Sequence, residues 1–264
     1  MKPQRSFRHT ASNPLPLAQN SAHQLASEHA LSIYRANAVY SFIPKNACTT
    51  MRLSLALANR AISSPGDFLW IHGNNTTFSA TMAELVRADY TFVILRCPYA
   101  RLVSCYLDVI VGRHPPFWQL HEWIMHTVDP EAFSFRAFIH CLTRERLRYL
   151  DENWMPQTHL MVYDTYDDVF DMADFSAVGP ALKAKIGLDV VDARALSKHG
   201  VDQYAPVDDM TPDTTPLDIM VRRAKGEVPR PQTLFDDELI AIVREAYADD
   251  VALYAERFPG RLMF

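Results

Sequence analysis

Long apolar runs are absent from this sequence, and cysteine is scarce. No window approaches the roughly 18 consecutive apolar residues that a membrane-spanning helix needs, and the first thirty residues lack the apolar core of a signal peptide. We therefore expect a cytoplasmic protein with no integral membrane segment. The 4 cysteines form no C-x-x-C pair and no zinc-like spacing with histidine, which predicts reduced thiols at Cys48, Cys97, Cys105 and Cys141.

The chain also lacks the basic charge of a general nucleic-acid-binding protein, since its formal net charge is -5. Its 264 residues are 48% hydrophobic and 22% charged, a composition that excludes disordered and fibrous proteins. Acidic residues are nevertheless missing between His29 and Gly66. The basic residues of that stretch are Arg35, Lys45, Arg52 and Arg60. The pattern indicates either a docking site for an anion or a solvated basic face.

Strand-like and helical patterns alternate along the chain. Residues 38–44 (AVYSFIP) form a short apolar β-type run, and a helix of good helix formers follows from Thr49. Residues 90–96 (YTFVILR) form a second buried-strand run, after which Pro98 suits the first turn of another helix. A third short strand is predicted at residues 159–163 (HLMVY). Strands that alternate with helices predict an α/β fold with a parallel sheet covered by helices on both faces.

The ends of the chain differ from this pattern. Residues 1–28 are polar and without a clear period, which predicts a flexible N-terminal arm before a single α/β domain at residues 29–264. Five prolines between residues 200 and 233 predict a largely irregular segment. The sequence closes with an amphipathic helix, for which Asp236 or Asp237 is the expected cap.

In an open α/β sheet, ligands bind beyond the carboxyl ends of the strands, and both predicted strand-to-helix junctions carry polar residues there. The first junction runs Pro44, Lys45, Asn46, Ala47, Cys48, Thr49, Thr50. The N–H groups and dipole of a helix start, the Lys45 ammonium and two threonine hydroxyls together suit a phosphate or sulfate group. The loop has no glycine and its lysine comes early, so it is not a Walker A loop. Taken alone, the same residues also fit an ordinary capped helix.

The second junction offers a further anchor for an anion. Arg96 ends a buried strand, and Ser104 lies eight residues later, about two turns into the next helix. A guanidinium fork and a hydroxyl at that separation suit a second phosphate group. The alternative is that Arg96 pairs with a carboxylate and Ser104 is a small packing residue. Arg101, between them, is a candidate for a structural role.

Together the two junctions resemble those of sulfotransferases that use 3′-phosphoadenosine 5′-phosphosulfate (PAPS), in particular the carbohydrate sulfotransferases of sulfotransferase family 2. IPKNACTTM resembles the family's 5′-phosphosulfate loop, and ILRCPYARLVSCY resembles its 3′-phosphate motif, R-x-P-x-x-R-L-V-S-x-Y. Weaker similarity covers about residues 36–258, including ENWMPQTHLMVYDTYDDV, which resembles the family's H/N-W-x-P-Q segment. Asn46 and Cys97 depart from the usual residues of the two motifs, which leaves the subgroup and the acceptor open.

The resemblance implies a P-loop-like fold and transfer of a sulfuryl group from PAPS to a hydroxyl of a carbohydrate or related acceptor, with no metal ion. It implies that the 5′-phosphosulfate is held by Lys45, Asn46, Ala47, Cys48, Thr49 and Thr50. It also implies that Arg96 and Ser104 hold the 3′-phosphate. By analogy with phosphoryl transfer, Lys45 is the expected cation that stabilises charge on the leaving phosphate.

Several residues are candidates for the general base. Histidine is the default, because its ordinary pKa of about 6.5 suits proton abstraction. We favour His72 as the catalytic partner of Lys45, since it follows a short apolar run and precedes a Gly-Asn-Asn turn. A histidine in a surface loop is the alternative interpretation. The other candidates are His114, His121, His126, Asp164 and Asp167.

Two other classes of function stay open from the sequence. A P-loop kinase with a divergent loop would require ATP and Mg²⁺, whereas a nucleotide- or glycan-binding protein without catalysis would lack a working base. A late basic cluster either contacts the nucleotide or an anionic glycan, or is a solvated loop. Its members are Arg222, Arg223, Lys225 and Arg230. Acidic runs at residues 164–174 and 202–218 are interpreted as solvated faces.

Overall fold

The computed structural model describes residues 5–11, 13–74, 76–197 and 204–264. The strands in these ranges are β1 (Ala30–Ile33), β2 (Ala38–Ser41), β3 (Tyr90–Leu95), β4 (Asp168–Asp171), β5 (Ala205–Val207) and β6 (Glu227–Pro229). The α-helices are α1 (Ser21–Glu28), α2 (Cys48–Ala58), α3 (Trp70–Gly73), α4 (Met82–Arg87), α5 (Pro98–Cys105), α6 (Pro115–Trp123), α7 (Phe135–Leu142), α8 (Glu145–Arg148), α9 (Phe175–Ile186), α10 (Arg194–Ser197), α11 (Pro216–Ala224), α12 (Asp237–Ala246) and α13 (Ala248–Arg257). Short 3-10 helices lie at Leu17–Gln19, Tyr34–Ala36, Pro65–Asp67, Pro130–Ala132, Gln157–Leu160, Met172–Asp174 and Pro231–Leu234, and a π-helical turn lies at Tyr106–Ile110.

The described residues fall into two compact units. The first comprises residues of 1–96 and 157–198, and the second comprises residues of 97–156 and 199–264. The first unit contains a four-stranded sheet in the order β1-β2-β3-β4. Strand β2 pairs parallel with β3, and β3 pairs parallel with β4, while β1 is antiparallel to β2. The predicted fold class, an α/β fold with a parallel-rich sheet flanked by helices, is therefore confirmed.

Side chains that alternate along the strands form two hydrophobic clusters in the first unit. One contains Tyr40, Phe92 and Ile94 together with residues of α2 and α9. The other contains Val39 together with residues of α1 and α4. Because successive residues of a strand point to opposite faces, Val39 and Tyr40 belong to different clusters. The sheet is covered by helices on both faces. Its strands are therefore apolar at successive positions, because side chains on both faces are buried.

The third predicted strand is wrong. Part of residues 159–163 lies in the 3-10 helix Gln157–Leu160, and the strand that pairs with β3 is Asp168–Asp171. The apolar pattern of this run reflects burial, since Leu160, Val162 and Tyr163 are fully buried. These residues are not part of the strand that pairs with β3. An apolar run in the sequence indicates that a segment is buried, but it does not show whether that segment forms a strand or which strand it pairs with.

The N-terminal segment has more structure than its polar composition predicted. Helix α1 is capped by Asn20, whose side chain accepts from the His23 N–H, and it buries His23 and Ala26. Phe7 forms an antiparallel bridge with Tyr163, and the two rings stack at 5.8 Å. Of the predicted flexible arm, residues 1–4 and 12 lie outside the described residues. Residues 5–11 and 13–28 pack on the first unit through these contacts.

The second unit is mainly helical and has an aromatic core. Tyr106 and Phe135 lie edge to face at 5.3 Å, and Tyr99 lies edge to face with Phe235 at 5.5 Å. Fully buried Trp154 donates from its indole N–H to the Leu147 carbonyl at 2.9 Å. The aromatic rings of this core thus pack α5 against Phe235, which precedes α12, and the π-helical turn after α5 against α7.

Residues 204–233 are more regular than the prolines predicted. Strands β5 and β6 pair parallel, with Pro206 and Pro229 inside the pair, and Pro216 begins helix α11 after the Thr215 cap. Residues 200–203 of the predicted irregular segment lie outside the described residues. Proline is compatible with the first helical turn and with short edge strands, so its frequency alone does not exclude these elements. The closing helix is divided in two at Tyr247, and Asp236 caps its first half through the Leu239 N–H.

Within the described ranges, no helix has the length and apolarity required to cross a membrane.

Candidate functional site

The loop between β2 and α2 adopts a conformation that is unusual for residues other than glycine. Lys45 has φ 73° and Ala47 has φ 56°, both in the left-handed region. Ala47 is the N-cap of α2, and no side chain caps this helix. The first N–H groups of a helix have no acceptor within the helix, and left-handed residues turn successive N–H groups toward a common concavity. The Asn46 N–H donates to the Ile43 carbonyl at 3.1 Å, so the N–H groups at the start of α2 are the ones placed to meet an anion, and Lys45, Ala47, Cys48 and Thr49 are only half-buried there.

The two threonines of this junction have different environments. Thr49 is half-buried, whereas Thr50 is 5% exposed and its Oγ1 accepts from the Ala193 N–H at 3.1 Å. The Thr50 hydroxyl is therefore engaged with Ala193. The half-buried Thr49 supplies the threonine hydroxyl that is more accessible at the start of helix α2. The Cys48 thiol is not in a disulfide.

Arg96 connects the second junction to the first. It follows the last residue of β3, it is half-buried, and its Nη1 donates to the Lys45 carbonyl at 3.0 Å. Because β2 and β3 are adjacent and parallel, their carboxyl ends open at the same edge of the sheet. The structure thus brings together the lysine loop and the arginine that the sequence assigned to two phosphate groups.

A buried amide pair lies behind these residues. Asn46 is 0% exposed, and its Nδ2 donates to the Ile94 carbonyl at 2.9 Å and to Gln157 Oε1 at 2.6 Å. The Asn46 side chain therefore points into the first unit, so its contribution at the loop is structural support. Gln157, 2% exposed, was not among the predicted site residues. The available signal was its place in the WMPQ segment that resembles the family motif.

Ser104 lies in the second unit, on helix α5. Ala100 and Ser104 are the residues of this helix that are not buried, and their four-residue spacing places them on one face. Arg101 is 1% exposed and donates from Nη1 to the Met155 carbonyl at 2.7 Å and from Nη2 to the Glu152 carbonyl at 2.9 Å. These contacts support the structural role that the sequence suggested for Arg101.

His72, the favoured base, is an exposed residue of the short helix α3 in the first unit. Its ring lies edge to face with Phe68, with the ring centroids 6.3 Å apart. Arg52 of helix α2 donates to the Ile71 carbonyl and lies 5.7 Å from the Phe42 ring centroid, which ties α3 to the helix that starts at the lysine loop. Asn75 of the predicted Gly-Asn-Asn turn lies outside the described residues.

Asp167 is displaced from the lysine loop. It accepts from the Thr91 N–H and pairs with Arg5, each at 2.7 Å. Thr91 is near the start of β3, so Asp167 lies at the edge of the sheet opposite to the loop. Burial alone would raise the pKa of Asp167, but the hydrogen bonds from Arg5 and Thr91 outweigh it and hold that pKa below its ordinary value. A carboxylate so placed is a poor base for chemistry at the lysine loop. Asp164, the other carboxylate candidate, is exposed, and its N–H donates to the Ser6 carbonyl at 3.0 Å.

The other histidine candidates belong to the second unit. His121 Nε2 donates to the Val128 carbonyl at 2.8 Å, and the Nδ1 atoms of His121 and His126 share a hydrogen bond at 2.7 Å. His114 Nε2 lies 3.9 Å from the Asp108 carboxylate. Trp118 and Trp123 nearby are 43% and 40% exposed, and the Arg146 guanidinium lies 3.8 Å from the Trp123 ring centroid.

Most arginines of the late basic cluster are paired within the second unit. Arg222 binds Asp209 at 2.6 Å and Glu227 at 2.8 Å, and Arg230 binds Asp208 at 2.6 Å. Arg223 donates to the Leu107 carbonyl at 2.9 Å. Two carboxylates of the acidic run at 202–218, Asp208 and Asp209, thus pair with Arg230 and Arg222; Asp202 lies outside the described residues. Among the residues that the structure describes, no three histidine, cysteine or acidic side chains are grouped as metal ligands.

Comparison with known families agrees with these features. The model of the sulfotransferase family, in its family 2 form, matches residues 29–255, which is most of the chain. The chain therefore belongs to sulfotransferase family 2, and sulfotransfer is the general class of reaction that this membership supports. No curated protein and no solved structure matches the chain.

Proposed function

We propose that this protein transfers a sulfuryl group from PAPS to a hydroxyl group of a carbohydrate or related acceptor. The observation that carries the proposal is the hydrogen bond from Arg96 to the Lys45 carbonyl, which joins two cationic residues at the carboxyl ends of neighbouring parallel strands. An uncapped helix start and two left-handed loop residues open beside them. Such a site suits a ligand with more than one anionic group.

In this assignment the loop N–H groups, Lys45 and Thr49 bind the 5′-phosphosulfate, and Arg96 and Ser104 bind the 3′-phosphate. The bond between sulfur and the bridging oxygen of the donor breaks as a bond forms between sulfur and the acceptor oxygen. The leaving phosphate gains negative charge, which the Lys45 ammonium and the start of helix α2 stabilise. The protein acts chiefly by positioning the reactants and by fixed electrostatic stabilisation.

The acceptor loses its hydroxyl proton to a base, and we assign this role to His72. Its exposed ring is accessible to an acceptor, and the Arg52–Ile71 bond attaches its helix to α2. A neutral imidazole takes up the proton and returns it to solvent after the product leaves.

Thermal unfolding with 3′-phosphoadenosine 5′-phosphate (PAP), compared with ADP and AMP in the presence of EDTA, tests the donor assignment. At about 100 times Kd, a ligand adds about 2.7 kcal/mol to the free energy of unfolding. For a chain of this size that corresponds to an increase of about 5–11 °C in the unfolding midpoint. We expect this increase with PAP alone. A parallel series contains ATP and Mg²⁺ without EDTA, and a shift in that series alone would instead support the kinase interpretation.

Release of PAP from PAPS with a panel of glycan acceptors tests the transfer step. The His72→Gln variant should retain the PAP-induced shift and lose turnover. PAP binding without turnover by the wild-type protein on any acceptor would support the non-catalytic alternative.

A further inference from the structure

We infer that Gln157 is a positioning residue that holds Arg96 and the Lys45 loop in a single geometry for the nucleotide. The inference rests on the proposed function and extends it to a residue that does not touch the ligand. Its basis is one buried side-chain amide that binds the main chain of Arg96 and the side chain of Asn46.

The contacts of Gln157 with Arg96 have the form of a strand pair. The Arg96 N–H donates to Gln157 Oε1 at 3.0 Å, and Gln157 Nε2 donates to the Arg96 carbonyl at 2.9 Å. The ladder between β3 and β4 ends at the pair Leu95 and Asp171. The Gln157 amide thus pairs with the residue immediately after the ladder, and it fixes the main chain from which the Arg96 guanidinium extends.

The same amide also fixes the loop. Gln157 Oε1 accepts from Asn46 Nδ2 at 2.6 Å, and Asn46 Nδ2 also donates to the Ile94 carbonyl. Asn46 stands between Lys45 and Ala47, whose left-handed backbone conformations require support from their surroundings. The Gln157 side chain therefore supports both the main chain of Arg96 and the loop that contains Lys45. The hydrogen bond from Arg96 Nη1 to the Lys45 carbonyl connects these two segments directly.

The chemistry requires an amide at this position. Gln157 accepts from two donors and donates to one carbonyl, and only a group with both capacities satisfies this set. At 2% exposure, water does not readily replace a lost bond. Methionine at this position has nearly the same length and no comparable donor or acceptor, so it removes all three bonds and keeps the packing volume.

The test compares Gln157→Met with the wild-type protein and with Leu85→Ala. Leu85 is 1% exposed in the first unit and belongs to the cluster on the other face of the sheet from α2, so its truncation lowers stability without touching the loop. The dissociation constant of PAP is measured by calorimetry at a temperature at which each variant is folded. We expect Gln157→Met to bind PAP at least about tenfold more weakly and Leu85→Ala to bind within about twofold of wild type.

The Asn46→Ala variant and the double variant supply an independent readout. If the two residues act through one network, their effects on PAP affinity are less than additive. Asn46→Ala also tests the inference on its own if Gln157→Met does not fold, because it leaves the Gln157–Arg96 pair intact and is expected to weaken PAP binding as well. PAP affinity equal to that of Leu85→Ala in both single variants would overturn the inference and leave the proposed function standing. Failure of the wild-type protein to bind PAP would overturn both.

Discussion

Two arginines of the R-x-P-x-x-R motif should respond to substitution in opposite ways. Arg101 is 1% exposed and makes two hydrogen bonds to main-chain carbonyls, at 2.7 and 2.9 Å. Hydrogen bonds to a charged group contribute about 1.5–3 kcal/mol each, so Arg101→Met should lower the free energy of unfolding by about 3–6 kcal/mol. For a chain of this length the unfolding midpoint should fall by about 6–24 °C.

Substitution of Arg96 should affect ligand binding more than stability. It is half-buried, and its Nη1 donates to the Lys45 carbonyl at 3.0 Å. Its replacement by alanine should lower the midpoint less than Arg101→Met does, because Arg96 is half-buried and water replaces part of what its side chain loses, whereas Arg101 is 1% exposed. The same replacement should weaken PAP binding by about 10²-fold, because it removes a bidentate cation from the proposed 3′-phosphate site.

The assay combines thermal unfolding with calorimetric titration of PAP at 20 °C. Folded Arg101→Met should bind PAP close to wild type, and Arg96→Ala should not. The reasoning is refuted if Arg101→Met unfolds within about 1 °C of wild type. It is also refuted if folded Arg101→Met loses PAP affinity to the same extent as Arg96→Ala, since Arg101 would then act on the ligand.

Three further predictions concern the lysine loop and a half-buried histidine, His159. Lys45→Ala should reduce PAP release with an active acceptor by at least about 10²-fold, because it removes the cation at the leaving phosphate; unchanged turnover would contradict the mechanism. Ala47→Gly should raise the unfolding midpoint by about 2–4 °C, because glycine relieves about 1 kcal/mol of left-handed strain at φ 56°; a lower midpoint would show that alanine is not strained there. Burial, with the nearby His9 charge, lowers the pKa of His159 to about 4. The unfolded chain, with a histidine pKa of about 6.5, therefore takes up the proton first as the pH falls, and stability is lost between pH 6.5 and 4. The wild-type midpoint should fall more steeply through that window than the midpoint of His159→Asn, and parallel curves would contradict the assignment.

The strands and helices around the candidate site were predictable because their signals are local. Strand β3 is a continuous apolar run, and helix α2 has good helix formers after a loop with a proline. Adjacent parallel strands open at one edge of a sheet, which is why the juxtaposition of Lys45 and Arg96 followed from their positions after two strands.

The support behind the site was not predictable in the same way. Asn46 and Gln157 are 111 residues apart, and no local pattern shows that they meet. Strand β4 contains two aspartates and does not have the appearance of a buried strand. Asp168 is accommodated because its carboxylate is bound by Tyr90 and Lys185, which lie 78 and 17 residues away along the chain.

The loop also shows why the missing Walker A glycines did not exclude left-handed residues before helix α2. Glycine reaches the left-handed region without cost, whereas other residues pay about 1–2 kcal/mol for it. Lys45 and Ala47 accept this conformation on either side of Asn46, which two buried hydrogen bonds hold in place. A glycine in place of Lys45 would remove the strain and also the ammonium. A strained lysine beside a buried amide therefore combines, in one residue, the left-handed turn of the loop and the charge that the proposed anion site requires.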